Sequence, residues 1–223
     1  MAETVNNQII VNNVRLARVS LTRPFQSKTP QVDAKTGQPK KDKYHIDAIF
    51  AQIHPQFADI QAVIRNVAFA AWKEDTQQIL DMIKGNNQRF CLQKGDLYRP
   101  GKEEYKGLLY ISAGNEEQPT IVATVNGVNV ANRNTPVVLT PADPQWPYAG
   151  CYANVHLQFY TYKFNNSPGL GCGVLGVQFY NHGKRLSGAT VSSGSEFGIV
   201  PGAADGAPPS TQAAAPTGGD GLI

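Results

Sequence analysis

Residues 151–164 read Cys-Tyr-Ala-Asn-Val-His-Leu-Gln-Phe-Tyr-Thr-Tyr-Lys-Phe, and their two parities differ in kind. Ala153, Val155, Leu157 and Phe159 form one set. Tyr152, Asn154, His156, Gln158, Tyr160 and Tyr162 form the other. A period of two puts successive side chains on opposite faces, so this is a strand with one face on a core and a polar-aromatic row on the other. Residues 173–180 repeat the design, with Leu175, Val177 and Phe179 expected inward and Gln178 and Tyr180 outward.

Most of the remaining pattern is also β. Residues 14–21 and 44–50 read as strands flanking a polar loop, and in the second Tyr44, Ile46, Ala48 and Phe50 alternate with His45, Asp47 and Ile49. Residues 90–93, 108–113 and 120–125 are further short runs, punctuated at Gly95-Asp96, Gly114-Asn115 and Asn126-Gly127. One segment has helical spacing: Pro55 suits a first turn, and Phe57, Ile60, Ile64, Val67 and Ala71 recur every three or four residues. Thr76 is placed to cap a second, shorter helix through Ile79, Leu80 and Ile83, with Gly85 ending it. Nothing later reads as helical. The expected fold is mainly β, a small antiparallel barrel or sandwich with a helical insertion at about residues 55–84, not a parallel α/β sheet. No repeat of 20–50 residues supports a solenoid or propeller.

The chain of 223 residues suits one domain with appendages. Residues 201–223 hold six Ala, five Gly and four Pro, no aromatic residue and no Lys or Arg. Such a segment has too little apolar surface to offset its ordering entropy, so a domain over residues 1–200 and a disordered tail over 201–223 are expected.

Charge is concentrated near the start. Arg15, Arg18, Arg23, Lys28, Lys35, Lys40, Lys41 and Lys43 face only Asp33 and Asp42, giving this stretch +6 in a chain whose net is +3. Such a run is either a solvated hairpin loop or an arm for polyanions. The tyrosine row has two readings as well: a platform on which single-stranded bases stack, or a second layer of packing under a loop. Nucleic-acid binding needs charge and stacking together, and both are present. The candidate stacking and polar contacts are Tyr152, His156, Tyr160, Tyr162, Tyr180 and Trp146. The candidate phosphate contacts are Arg15, Arg18, Arg23, Lys28, Lys40, Lys41 and Lys43, with Lys184 and Arg185 behind them. Trp146 and Tyr148 lie in a Pro-bounded loop, either capping a groove or packing beneath it. Tyr98-Arg99 and Tyr105-Lys106 pair an aromatic with a cation more weakly.

Other chemistry finds little support. Cys91, Cys151 and Cys172 are odd in number and form no CxxC pair, which argues against a disulfide scaffold or a cysteine zinc site. Residues 171–176 match GxGxxG, but a strand continues where a dinucleotide site needs a helix, so a bulge or tight hairpin explains the glycines better. His45, His54, His156 and His182 are scattered, Glu103-Glu104 and Glu116-Glu117 lie in polar turns, and no GxSxG or P-loop occurs. No catalytic residue, metal ligand or cofactor is assigned. The N-terminal residues lack the basic and apolar regions of a signal peptide, and no apolar run spans a membrane, so a cytosolic protein is expected, for which the Asn165-Asn166-Ser167 sequon carries no meaning.

Several fragments together carry a resemblance. They are Val14-Arg15-Leu16 before the basic loop and Lys43-Tyr44, Tyr105-x-Gly107-x-Leu109-Tyr110-Ile111-Ser112-Ala113, Pro147-Tyr148-Ala149-Gly150-Cys151-Tyr152-Ala153-Asn154, and Gly173-Val174-Leu175-Gly176-Val177-Gln178-Phe179 with Gly183-Lys184-Arg185-Leu186. Over most of residues 9–190 the chain resembles a family of bacteriophage single-stranded DNA-binding proteins. The resemblance implies an OB-fold barrel with a helical insertion, which binds single-stranded DNA in phage replication or recombination within the infected bacterial host's cytoplasm, without catalysis. Proteins of this type often carry a strongly acidic tail that recruits replication or recombination proteins. Here the tail holds only Asp205 and Asp220, before Gly221-Leu222-Ile223. The oligomeric state stays open. The rival expectation is a phage structural β-sandwich whose aromatic row is a subunit interface.

Overall fold

The computed structural model describes residues 6–26, 41–124, 136–164 and 166–186. The expectations for Lys28, Lys35, Lys40 and residues 201–223 lie outside them. The strands are β1 (Gln8–Phe25), β2 (Lys43–Phe50), β3 (Leu92–Lys94), β4 (Leu109–Asn115), β5 (Thr120–Thr124), β6 (Pro136–Val138), β7 (Tyr152–Phe164) and β8 (Ser167–Asn181). They join one sheet in the order β3-β4-β2-β1-β7-β8-β5-β6. The helices are α1 (Phe57–Trp72), α2 (Thr76–Ile83) and α3 (Gly95–Tyr98), with 3₁₀ turns at Lys73–Asp75 and Glu103–Tyr105. No helix among the described residues is long and apolar enough to cross a membrane.

The long first strand organises the sheet. Its early residues pair with β7, from Gln8 opposite Gln158 to Arg15 opposite Tyr152. Its later residues pair with β2, from Arg15 opposite Ile49 to Phe25 opposite Lys43. Two of its three register shifts, at Val11–Val14 and Ala17–Ser20, bend it between these partners. Each contains a non-glycine residue at positive φ, Asn13 at 50° and Arg18 at 47°. The first bend is held by side chains: Asn154 Oδ1 accepts from the Asn13 amide at 2.9 Å, and Gln56 Oε1 accepts from the Asn12 amide at 2.8 Å.

Curling the sheet gathers its inner face into one core. Leu16, Ile46, Ala48, Ile111, Ala113, Val174 and Val177 meet the inward residues of β7 there, and Ile60, Ile64, Leu80 and Ile83 of the helical insertion pack onto the same cluster. The ladder does not close into a complete barrel. Its two arms approach at an isolated parallel bridge between Phe90 and Leu170, where the Cys91 amide donates to the Leu170 carbonyl at 3.0 Å. One named pair, β5 with β8, is parallel, which an all-antiparallel expectation does not include.

Four local expectations need correcting. Leu175 does not point into the core: β8 bulges opposite β7, where His156 pairs with Gly176 and Leu157 with Val174, so Val174 takes the inner place and Leu175 is the extra residue. Thr76 begins α2 but does not cap it, because its hydroxyl donates to the Lys73 carbonyl. Ala71 is exposed, and Trp72 turns that end of α1 toward the core. The segment after β3 is helical in two short turns, α3 and the 3₁₀ turn at Glu103–Tyr105.

Those turns cover a second cluster on the outer face of β1, β2 and β4, made of Ala17, Ile49, Tyr105 and Tyr110. At its centre the Asp47 carboxylate is fully buried. Tyr105 donates its hydroxyl to Oδ2 at 2.7 Å, with Arg99 at 3.3 Å and Arg18 at 3.6 Å on the same oxygen, and His45 Nε2 meets Oδ1 at 3.0 Å. Burial pushes the Asp47 carboxyl up, but the hydrogen bonds and charges of His45, Tyr105 and Arg18 outweigh it and hold the group below its ordinary range. A depressed carboxyl stabilises the fold above its unfolded pKa and loses that contribution as pH falls through the folded one. Tyr105→Phe should therefore cost about 1.5–3 kcal/mol in urea denaturation. Asp47→Asn should cost a similar amount at neutral pH and flatten the loss of stability below about pH 4. An acid limb parallel to the wild type would contradict this account of Asp47.

Candidate nucleic-acid interface

Strand β7 behaves as its alternation predicts. Ala153, Val155, Leu157 and Phe159 are all 0% exposed, which holds Tyr152, Asn154, His156, Gln158, Tyr160 and Tyr162 on the outer face. The middle of that row is occupied by contacts within the chain. Asn154 donates to Gln178 Oε1 at 2.9 Å, and His156 Nε2 lies 3.1 Å from Gln8 Oε1.

The far end of the row is different because its rings lie over glycines. Tyr160 stands opposite Gly171, Tyr162 opposite Gly169 and Gln158 opposite Gly173. A Cβ at Gly171 would come within 3 Å of the Tyr160 ring, and one at Gly169 would do the same to Tyr162. The phenols thus lie across a groove floor that only glycine leaves free. Their centroids are 6.3 Å apart with the planes tilted by 52°. Tyr162 is anchored through its hydroxyl to the Gln88 carbonyl, whereas Tyr160 is 41% exposed. Burial raises both phenol pKa values, so both rings stay neutral at physiological pH.

Tyr160, Gln158, Gly173 and Leu175 line one side of a groove of about 380 Å³, and Lys41, Lys43 and the turn at residues 114–117 line the other. Two of the expected cations and one expected stacking ring therefore share one concavity. Glu116 and Glu117 also line it, and Glu116 lies 3.7 Å from Lys41 in an exposed ion pair. Such a pair holds Lys41 weakly.

Other candidates gather elsewhere. Arg23 and Trp146 line a second groove of about 770 Å³ with Phe25, Tyr148 and Arg185. The Arg185 guanidinium sits 4.1 Å from the Tyr148 ring centroid. Tyr148 is fixed because its hydroxyl donates to the Gly183 carbonyl at 2.9 Å and accepts from the Gly183 amide at 3.1 Å. Gly150, at φ 112°, lets the Lys184 carbonyl approach where a side chain would collide. Trp146 packs on the core and also lines this groove.

The remaining candidates are more dispersed. Arg15 donates to the Lys184 carbonyl at 3.1 Å, and Arg18 leans on Asp47. Tyr152 is half-buried. Tyr180 is the extra residue of a bulge at the end of the β7–β8 ladder and is 61% exposed. Tyr105 and Arg99 are not surface contacts, since both are taken up by Asp47. Sequence reasoning misses Gly169, Gly171 and Gly173 as the floor under the tyrosines, although their spacing of two on a strand is a usable signal. It also misses Phe25, 55% exposed beside Arg23, because a lone Phe beside Pro24 carries no pattern. Among the described residues no three His, Cys, Asp or Glu come together as a metal site requires.

If the rings lie over the glycines, the Gly169 and Gly171 α-protons are shifted upfield in the proton spectrum. Tyr162→Ala should remove the shift at Gly169 and Tyr160→Ala that at Gly171, each leaving the other in place. Ordinary glycine shifts in the wild type would contradict the arrangement.

The family model described as the single-stranded DNA-binding protein of Enterobacter phage Enc34 matches residues 7–207. The putative protein p50 of Acyrthosiphon pisum secondary endosymbiont phage 1 is 34% identical over 192 residues, covering 85% of this chain and 92% of that protein. The fold is similar to that of the bacteriophage Enc34 single-stranded DNA-binding protein solved in complex with single-stranded DNA. That similarity has a TM-score of 0.59 at 16% identity, over 84% of this chain and 97% of the other. A second structure of the Enc34 protein gives a TM-score of 0.57 at 15% identity, over 87% and 96% of the two chains. The family match covers nearly the whole chain, and by it the protein belongs to the Enc34 single-stranded DNA-binding protein family.

Proposed function

We propose that this protein binds single-stranded DNA without sequence preference, along the outer face of β7 and β8, with bases stacking on Tyr160 and Tyr162 and phosphates meeting Lys41 and Lys43. The observation that carries this reading is the groove that the half-open Tyr160 ring lines together with both lysines. Family membership supports the ligand class. Stacking on aromatic rings accepts any base, because every base has a π face, and lysines hold the backbone without reading sequence.

Around that centre the other candidates take secondary parts. Arg23, Trp146, Tyr148 and Arg185 form a second station for a strand leaving the first groove. Tyr152, His156 and Tyr180 offer further stacking and hydrogen bonding along the row. Lys28 and Lys40, in the basic stretch of sequence between β1 and β2, are assigned to the backbone, as are Arg15 and Arg18. The protein works without catalysis, protecting or organising single strands during phage replication or recombination in the cytoplasm of the infected host. Residues 201–223 are assigned to docking replication or recombination proteins.

The test is a pair of double variants. Tyr160→Ala with Tyr162→Ala should weaken single-strand binding by roughly 1–3 kcal/mol for each stacked base while leaving the thermal midpoint near the wild type. Lys41→Ala with Lys43→Ala should lower the slope of log affinity against log salt by about 0.7 for each phosphate no longer neutralised. Unchanged affinity and slope in folded variants would overturn the assignment.

A further inference from the structure

On the helical insertion lies a third concavity, lined by none of the described residues assigned to DNA. Its floor is Phe57 and Ile64 of α1, Leu80 of α2, Leu92 of β3 and Leu109 of β4, and its volume is about 350 Å³, at the small end of ligand pockets. Arg65, Lys84 and Lys94 stand on its rim, and no Asp or Glu lines it. Lys84 is partly neutralised by Asp81, 3.0 Å away outside the groove. Arg65 and Lys94 make no ion pair among the described residues. The groove shares no lining residue with the two grooves described above.

We propose that this groove docks a short segment of a partner protein that carries aliphatic side chains beside carboxylates. Apolar side chains would enter a floor of mostly aliphatic residues and remove it from water, which gives affinity. Carboxylates would meet the two unpaired cations, which selects acidic segments over basic ones. A nucleic-acid strand fits the site less well, since its lining holds no Tyr or Trp and its two aromatics are Phe57, half-buried, and Phe90, buried.

The probe is a pair of twelve-residue synthetic peptides with the same Leu, Ile and Phe positions, one spaced by Asp and Glu and the other by Lys. Each is titrated into the full chain while methyl resonances of Ile64, Leu80, Leu92 and Leu109 are followed. The acidic peptide is expected to shift these resonances saturably and the basic peptide not to. Arg65→Glu with Lys94→Glu, both exposed positions, is expected to weaken the acidic peptide at least tenfold while leaving the thermal midpoint and single-strand affinity unchanged. Absence of shifts at millimolar acidic peptide, or equal binding of both peptides, would overturn the proposal. Displacement of the peptide by oligo-dT would overturn it in favour of a nucleic-acid surface. A sedimentation shift toward monomer in the Arg65/Lys94 variant would overturn it in favour of a contact between copies. Because the readout does not depend on DNA, its failure is distinguishable from failure of the DNA-binding reading.

Discussion

The structure depends on β7 being hydrogen-bonded along both edges while its inner side chains lie fully in the core. Pairing with β1 on one side and β8 on the other fixes the register, and a slip by one residue would exchange Leu157 and Phe159 for His156 and Gln158 in the core. Burying a Leu or Phe is worth about 1.5–3 kcal/mol each, so that slip is excluded by several such terms at once. The outer row is consequently held in place by what lies behind it. Where β8 answers that row with glycine, the tyrosines settle across the strand, and Tyr160 remains partly open. The candidate interface is thus a by-product of core packing on one face and small residues on the neighbouring strand.

A second constraint acts on the opposite arm of the sheet. Asp47 sits on the outer face of β2, where a charged side chain ordinarily meets water, yet the two short turns after β3 cover it completely. An isolated buried carboxylate would be costly, and this one is tolerated because Tyr105, Arg99, Arg18 and His45 converge on its two oxygens. The cluster ties β1, β2 and the covering segment into one unit and draws Arg99 and Tyr105 out of the pool of surface contacts. Tyr105 and Arg99 read as a nucleic-acid signal in sequence and serve as internal electrostatics in the fold.

Much of this is legible in the amino-acid sequence. The alternation in residues 151–164 announces both faces of β7 correctly, and the spacing of Ile60, Ile64 and Val67 announces the helical insertion. Leu175 escapes such reading because alternation carried back from Phe179 and Val177 lands on it, whereas the bulge between Gly176 and Val174 shifts the earlier positions by one. Gly176, at the bulge, is the only hint. The short α3 and 3₁₀ turns escape it because three or four residues show no period; tertiary cover over Asp47 defines them. The partition of candidates into two grooves is not legible either, since it depends on which distant segments the fold brings together. A virion β-sandwich with an aromatic subunit interface gains no support beyond exposure of the row, and family membership speaks against it.

The central claim is a preference for single strands that arises from stacking and charge acting together. Its most direct test is competition between labelled oligo-dT and duplex of equal length for the full chain across several salt concentrations. The account predicts that oligo-dT outcompetes duplex at every salt concentration and that its affinity falls with salt at about −0.7 per phosphate contact. Equal affinity for duplex and single strand, falling with salt in the same way, would mean that charge alone makes the contact. It would contradict the assignment of the tyrosine row.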